Sequence, residues 1–124
     1  MTSPELPADV RRFILTSVPS VPYLEALLLL RAEPSRSWDA VQLARRQYVP
    51  ERTGTELVQL LRDSGTAAAE GAAVRYAPTA ELADLLDRVA QAYATDLLTV
   101  TELIHSRIDR RAQRFADAFR FRKE

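Results

Sequence analysis

The sequence predicts a mainly α chain with a small β-ribbon and a long C-terminal helix. Three observations carry that expectation. Apolar residues recur at helical spacing in five separate stretches. Prolines, capping residues and a glycine bound those stretches. Between the fourth and fifth, the segment from Thr66 to Ala77 alternates around Glu70-Gly71, as a hairpin does.

The first helix opens at Pro7, where a missing N–H costs nothing. Val10, Phe13 and Ile14 share one face, and Val18-Pro19-Ser20-Val21-Pro22 ends the helix. Pro22 opens the second, whose Leu24, Leu27, Leu28 and Leu30 make it apolar on most sides, as a central helix is. Glu33-Pro34 ends it. Ser35 to Trp38 reads as a short strand that can join the ribbon.

Asp39, with Gln42 three residues on, has the pattern of a capping box for the third helix. Val41 and Ala44 face inward, helped by Leu43. Arg45 and Arg46 lie in the last turn, where positive charge suits the dipole. Tyr48 and Val49 fill the turn, and Pro50 opens the fourth helix. Leu57, Leu60 and Leu61 form its inner face, and Gly65 sits where a left-handed residue ends a helix. Gly54 reads as a tight helix crossing, as a later helix start at Thr55, or as close approach of a ligand.

Thr79 caps the last helix. Its stripe runs Leu82, Leu86, Val89, Tyr93, Leu97, Val100, Ile104 and Ile108. A stripe of that length exceeds what so small a domain covers alone, which points to a homodimer helix. Packing on the first helix and under the ribbon is the other reading. The organisation expected is therefore residues 1–78, with the helix pair and ribbon, then the long helix over 79–108, then a basic aromatic tail over 109–124.

The chain has 124 residues, the size of one domain, with 17 basic and 17 acidic side chains. It lacks the basic excess of a strong nucleic-acid binder. Absence of cysteine excludes disulfides, thiol catalysis and thiolate metal sites. The opening MTSPELPADVRR lacks the pattern of a signal peptide, and the apolar run at Leu27 to Leu30 is too short to insert in a membrane. A cytoplasmic location is expected. No Gly-rich phosphate loop and no nucleophile–base set is present. Glu102 and His105 have the spacing of a metal pair on one helix face, but further ligands are not evident. No cofactor and no enzymatic activity are expected.

Helix, turn, helix and ribbon over residues 22–78, with Ala44 before the turn, the leucine ladder and the glycine stop, resemble the winged helix-turn-helix superfamily of bacterial regulators. The long helix resembles the dimer helix of MarR-like and PadR-like members. The resemblance implies a transcriptional regulator whose fourth helix enters a major groove of duplex DNA. Arg52 and Gln59 would read bases, while Thr53 and Thr55 would bond phosphates. Arg36, Arg45, Arg46 and Arg75 would supply further phosphate contacts. The alternative is a winged-helix adaptor that binds no DNA. There the alanine-rich wing and the tail, through Arg111, Arg114, Phe115, Phe119, Phe121 and Arg122, would dock a protein partner. A small-molecule pocket between the long helix and the domain is a further possibility.

Overall fold

The computed structural model describes residues 6–106. Prolines and side-chain caps set where its helices begin. Helix α1 (Ala8–Ser17) follows Pro7, and α2 (Val21–Ala32) carries Pro22 in its first turn. The Ser20 hydroxyl accepts from the Tyr23 amide at 3.3 Å, a cap that the flanking prolines obscure in the sequence. Helix α3 (Ala40–Gln47) opens on the expected capping box. The Asp39 carboxylate accepts from the Gln42 amide at 2.8 Å, and the Gln42 side chain accepts from the Asp39 amide at 2.9 Å. Helix α4 (Glu51–Asp63) follows Pro50 and gives way to Gly65 at φ 80°. Helix α5 (Ala80–Thr95) is capped by Thr79, whose hydroxyl accepts from the Leu82 amide at 3.2 Å.

Three short strands complete the fold as one antiparallel sheet. They are β1 (Ser37–Trp38), β2 (Ala67–Glu70) and β3 (Ala73–Tyr76), in the order β1-β3-β2. The strand expected near Ser35 to Trp38 does join the ribbon, with Ser37 opposite Arg75 and Trp38 opposite Val74. Gly71 holds the first position of the two-residue β2–β3 turn at φ 60°, where a side chain would be strained. Trp38 and Val74 point from the sheet into the core. They meet Leu24, Leu27 and Leu30 of α2 and Leu57 and Leu61 of α4 there.

The long helix is corrected. The single element expected over 79–108 is broken at Asp96, whose backbone turns to φ −143° and ψ 59°. A sixth helix, α6, occupies residues 97–106. Asp96 serves both pieces: its amide donates to the Ala92 carbonyl at 2.8 Å, and its carbonyl accepts from the Val100 amide at 3.2 Å. Aspartate is among the residues best suited to open a helix. The break brings Val100 and Ile104, both fully buried, into the same core as Val10 and Ile14 of α1. Burial of each contributes about 1.5–3 kcal/mol. Val100 and Ile104 of the stripe are thus covered within one chain and need no second protomer, while Ile108 lies outside the described residues. Leu97 and Leu98 are left outside, at 50% and 74% exposure.

Smaller corrections concern helix faces. Val41 and Leu60, expected inside, are exposed at 36% and 42%; Leu43 is buried as expected, and Val58 takes a core position on α4. Exposed ion pairs link α5 to its neighbours. Arg88 bridges to Asp9 of α1 at 2.6 Å, and Asp87 to Arg31 of α2 at 2.9 Å. Among the described residues, no single helix is long and apolar enough to cross a membrane.

Candidate functional site

The α3–α4 pair is fixed by one close crossing. A Cβ on Gly54 would overlap the Ala40 carbonyl oxygen and stand 3.1 Å from the Ala44 Cβ. Gly54 is buried inside α4, which already begins at Glu51, so tight helix crossing accounts for this glycine. The start at Thr55 and the approach of a ligand do not. Holding the inner side this way turns Arg52, Thr55, Glu56, Gln59 and Leu60 outward and leaves Thr53 half-buried.

The residues expected to touch DNA divide into two groups. Arg45 and Arg46 are exposed at the end of α3 and make no ion pair among the described residues. Arg52 reaches Glu56 only at 3.9 Å with its side chain 91% exposed, a pair of negligible strength. The Thr53 side chain makes no hydrogen bond among the described residues. The other four are engaged. Arg36 lies over the Trp38 ring at 3.8 Å and pairs with Glu33 at 3.3 Å. Arg75 pairs with Glu70 at 3.2 Å. The Thr55 hydroxyl donates to the Glu51 carbonyl at 3.2 Å, and the Gln59 amide donates to Asp63 at 3.0 Å.

The β2–β3 hairpin is braced at its tip. Glu70 accepts from the Ser37 hydroxyl as well as from Arg75, and Arg62 of α4 donates to the Gly71 carbonyl at 3.1 Å. This fastens the hairpin to α4 and neutralises the one charge at its turn. Residues 6–106 carry ten arginines against thirteen carboxylates, and the residues after Ser106 carry the basic side chains that bring the whole chain to zero net charge. The tail residues Arg111, Arg114, Phe115, Phe119, Phe121 and Arg122 lie outside the described residues.

A groove of about 420 Å³ opens where α3 turns into α4, lined by Val41, Ala44, Arg45, Tyr48, Val49 and Glu51. Tyr48, expected to fill the turn, stands 94% exposed in the left-handed region at φ 57°. The turn needs a left-handed residue to reverse the chain within three positions, and the sequence offers no glycine there. That shortage is the one sequence signal that marks Tyr48. Among the described residues no group of three or more metal-ligating side chains forms, and Glu102 and His105 are both exposed.

Comparison with protein-family models, with curated proteins and with solved structures returned no match to this chain.

Proposed function

We propose that the chain is a winged-helix regulator that docks duplex DNA through the outer face of α4, with no catalytic role. The observation that carries this reading is the outward cluster of Arg45, Arg46 and Arg52 around the start of α4, with the half-buried Thr53 hydroxyl beside it. These donors surround a helix whose inner side is locked by Gly54. An α-helix held that rigidly, with cations at its leading end, suits a major groove. The hairpin tied to α4 by Arg62 then lies alongside as the wing. Binding as a homodimer is part of the proposal, with exposed Leu97 and Leu98 as the apolar surface for pairing two copies.

A second reading has its own observation. The same face carries Val41, Tyr48 and Leu60 exposed, and four of the eight expected DNA contacts are engaged within the fold. That composition suits a winged-helix adaptor for a protein partner, since exposed aromatics with arginine are favoured at protein interfaces.

The experiment that separates them is a titration of duplex DNA at several salt concentrations. Phosphate contacts make log K fall with log salt by about 0.9 per neutralised phosphate. Replacing Arg45 and Arg46 together by alanine should flatten that slope by about 1.8 per protomer and weaken all sequences alike. Absence of binding at low salt, or an unchanged slope, would reject the DNA reading and favour the adaptor.

A further inference from the structure

A second groove, of about 400 Å³, lies between α2, the end of α3 and α5. It shares Tyr48 with the first groove but has a different chemistry. Leu28 and Leu29 of α2, with the half-buried Tyr93 ring of α5, form an apolar wall. Glu25 of α2 contributes a carboxylate, and Arg46 at the end of α3 contributes a guanidinium. Opposite charges lining one groove would ordinarily pair. These two do not pair with each other, nor with any other described residue.

A third residue of the lining, Gln47, has a polar group without a partner among the described residues. The side-chain amide nitrogen of Gln47 is buried and has no acceptor among the described residues. Leaving a buried donor unsatisfied is costly, and a turn of the Gln47 side chain toward the groove would let an incoming oxygen relieve that cost. Glu25 lies near enough to Tyr93 to act on its phenol: burial first, then the Glu25 charge, raise the Tyr93 pKa above its ordinary value. The groove therefore has an ammonium-seeking side at Glu25 and Tyr93 and an oxyanion-seeking side at Arg46 and Gln47. Its apolar wall runs beside them, and its volume falls at the small end of ligand sites, roughly 300–1,000 Å³.

We propose that this groove binds a free α-amino acid with an apolar side chain. Glu25 takes the ammonium, Arg46 and the Gln47 amide take the carboxylate, and Leu28, Leu29 and Tyr93 cover the side chain. Such a zwitterion satisfies all three open polar groups at once, whereas a fatty acid or an amine satisfies one side only. Arg46 also belongs to the proposed docking face of α4, but leucine binding is measured on the chain without DNA, so its failure and the failure of the DNA reading are distinguishable.

Calorimetric titration of the full chain with L-leucine and L-phenylalanine tests this. Saturable binding is expected, with N-acetyl-leucine and leucinamide each weaker by about tenfold, the loss of one charge-assisted hydrogen bond. Glu25→Gln should weaken leucine by about tenfold and leave the residual binding of N-acetyl-leucine unchanged. Arg46→Ala should weaken leucine similarly and leave leucinamide unchanged. Both side chains are exposed, so far-ultraviolet circular dichroism should show the fold of each variant intact. No saturable binding of either amino acid at millimolar concentration would overturn the proposal. So would equal binding of the blocked compounds, or variants that weaken every compound alike.

Discussion

Gly54 of α4 lies directly against the carbonyl group of Ala40 in α3, with no room for a methyl group between them. Two effects oppose each other at this position. Alanine would improve helix propensity by about 1 kcal/mol. The added Cβ would also overlap a backbone oxygen, which cannot swing aside as a side-chain tip can, and overpacking typically costs about 1–3 kcal/mol. Steric cost should win. Gly54→Ala is expected to lower stability by up to about 2 kcal/mol in urea unfolding, the difference between these two effects. A stabilised variant would mean that α3 and α4 cross less closely than described.

The bridge from Asp9 to Arg88 ties α1 to α5 and predicts a pH effect of definite sign. The hydrogen bond from Arg88 is the main influence that lowers the Asp9 pKa below its ordinary 3.8 in the folded chain. The folded state thus binds fewer protons at Asp9 than the unfolded state does. Its stabilising contribution is fully present above pH 3.8 and is lost as pH falls through the depressed folded value. Asp9→Asn should make the acid limb of the stability curve shallower below that point. Its effect at pH 7 should be small, because both side chains are about half exposed. Acid limbs of equal slope in variant and wild type would show that the bridge does not form in solution.

Much of the architecture was legible because its signals are local. Proline before a helix, the Asp39–Gln42 box, Thr79 and the Glu70-Gly71 turn each act within four residues, and each sits where it was expected. The break at Asp96 was not legible. Tyr93, Leu97, Val100 and Ile104 keep helical steps straight across it, so periodicity cannot register one non-helical residue. An aspartate in mid-stripe was the only clue. Helix faces failed for a different reason. Leu57, Leu60 and Leu61 fit an inner face as well as Leu57, Val58 and Leu61 do, and the crossing at Gly54 decides between them. The candidate site divides in the same way. Which arginines exist is sequence information; which are engaged depends on sheet register, through Trp38 beneath Arg36 and Glu70 beside Arg75.

The folding back of α6 makes Ile104 a core residue of its own chain. Truncation there should leave a cavity among Val10, Ile14 and their neighbours, with a typical cost of about 2–5 kcal/mol. Ile104→Ala is therefore expected to shift the urea midpoint sharply downward, whereas Leu98→Ala, at a 74% exposed position, should shift it little. If Ile104 instead served a separate dimer arm, its truncation would dissociate protomers and leave each fold as stable as before. Sedimentation and unfolding measured on the same variant distinguish these outcomes.

Tyr48 offers a sharper division between folding and docking. A left-handed backbone costs an ordinary L-residue about 1–2 kcal/mol, and asparagine tolerates it better. The Tyr48 ring is 94% exposed, so little packing offsets the strain. Tyr48→Asn should accordingly leave stability unchanged or raise it by up to about 1 kcal/mol. The ring also lines the groove between α3 and α4 beside Arg45, so its removal should weaken whatever that face docks. For a buried aromatic anchor at a protein interface the loss should be about 2 kcal/mol or more, roughly thirtyfold in affinity. For a ring flanking a DNA groove it should be smaller and should leave the salt slope unchanged, because tyrosine neutralises no phosphate. A variant that loses stability would place the ring in the core after all, and would remove Tyr48 from the docking face.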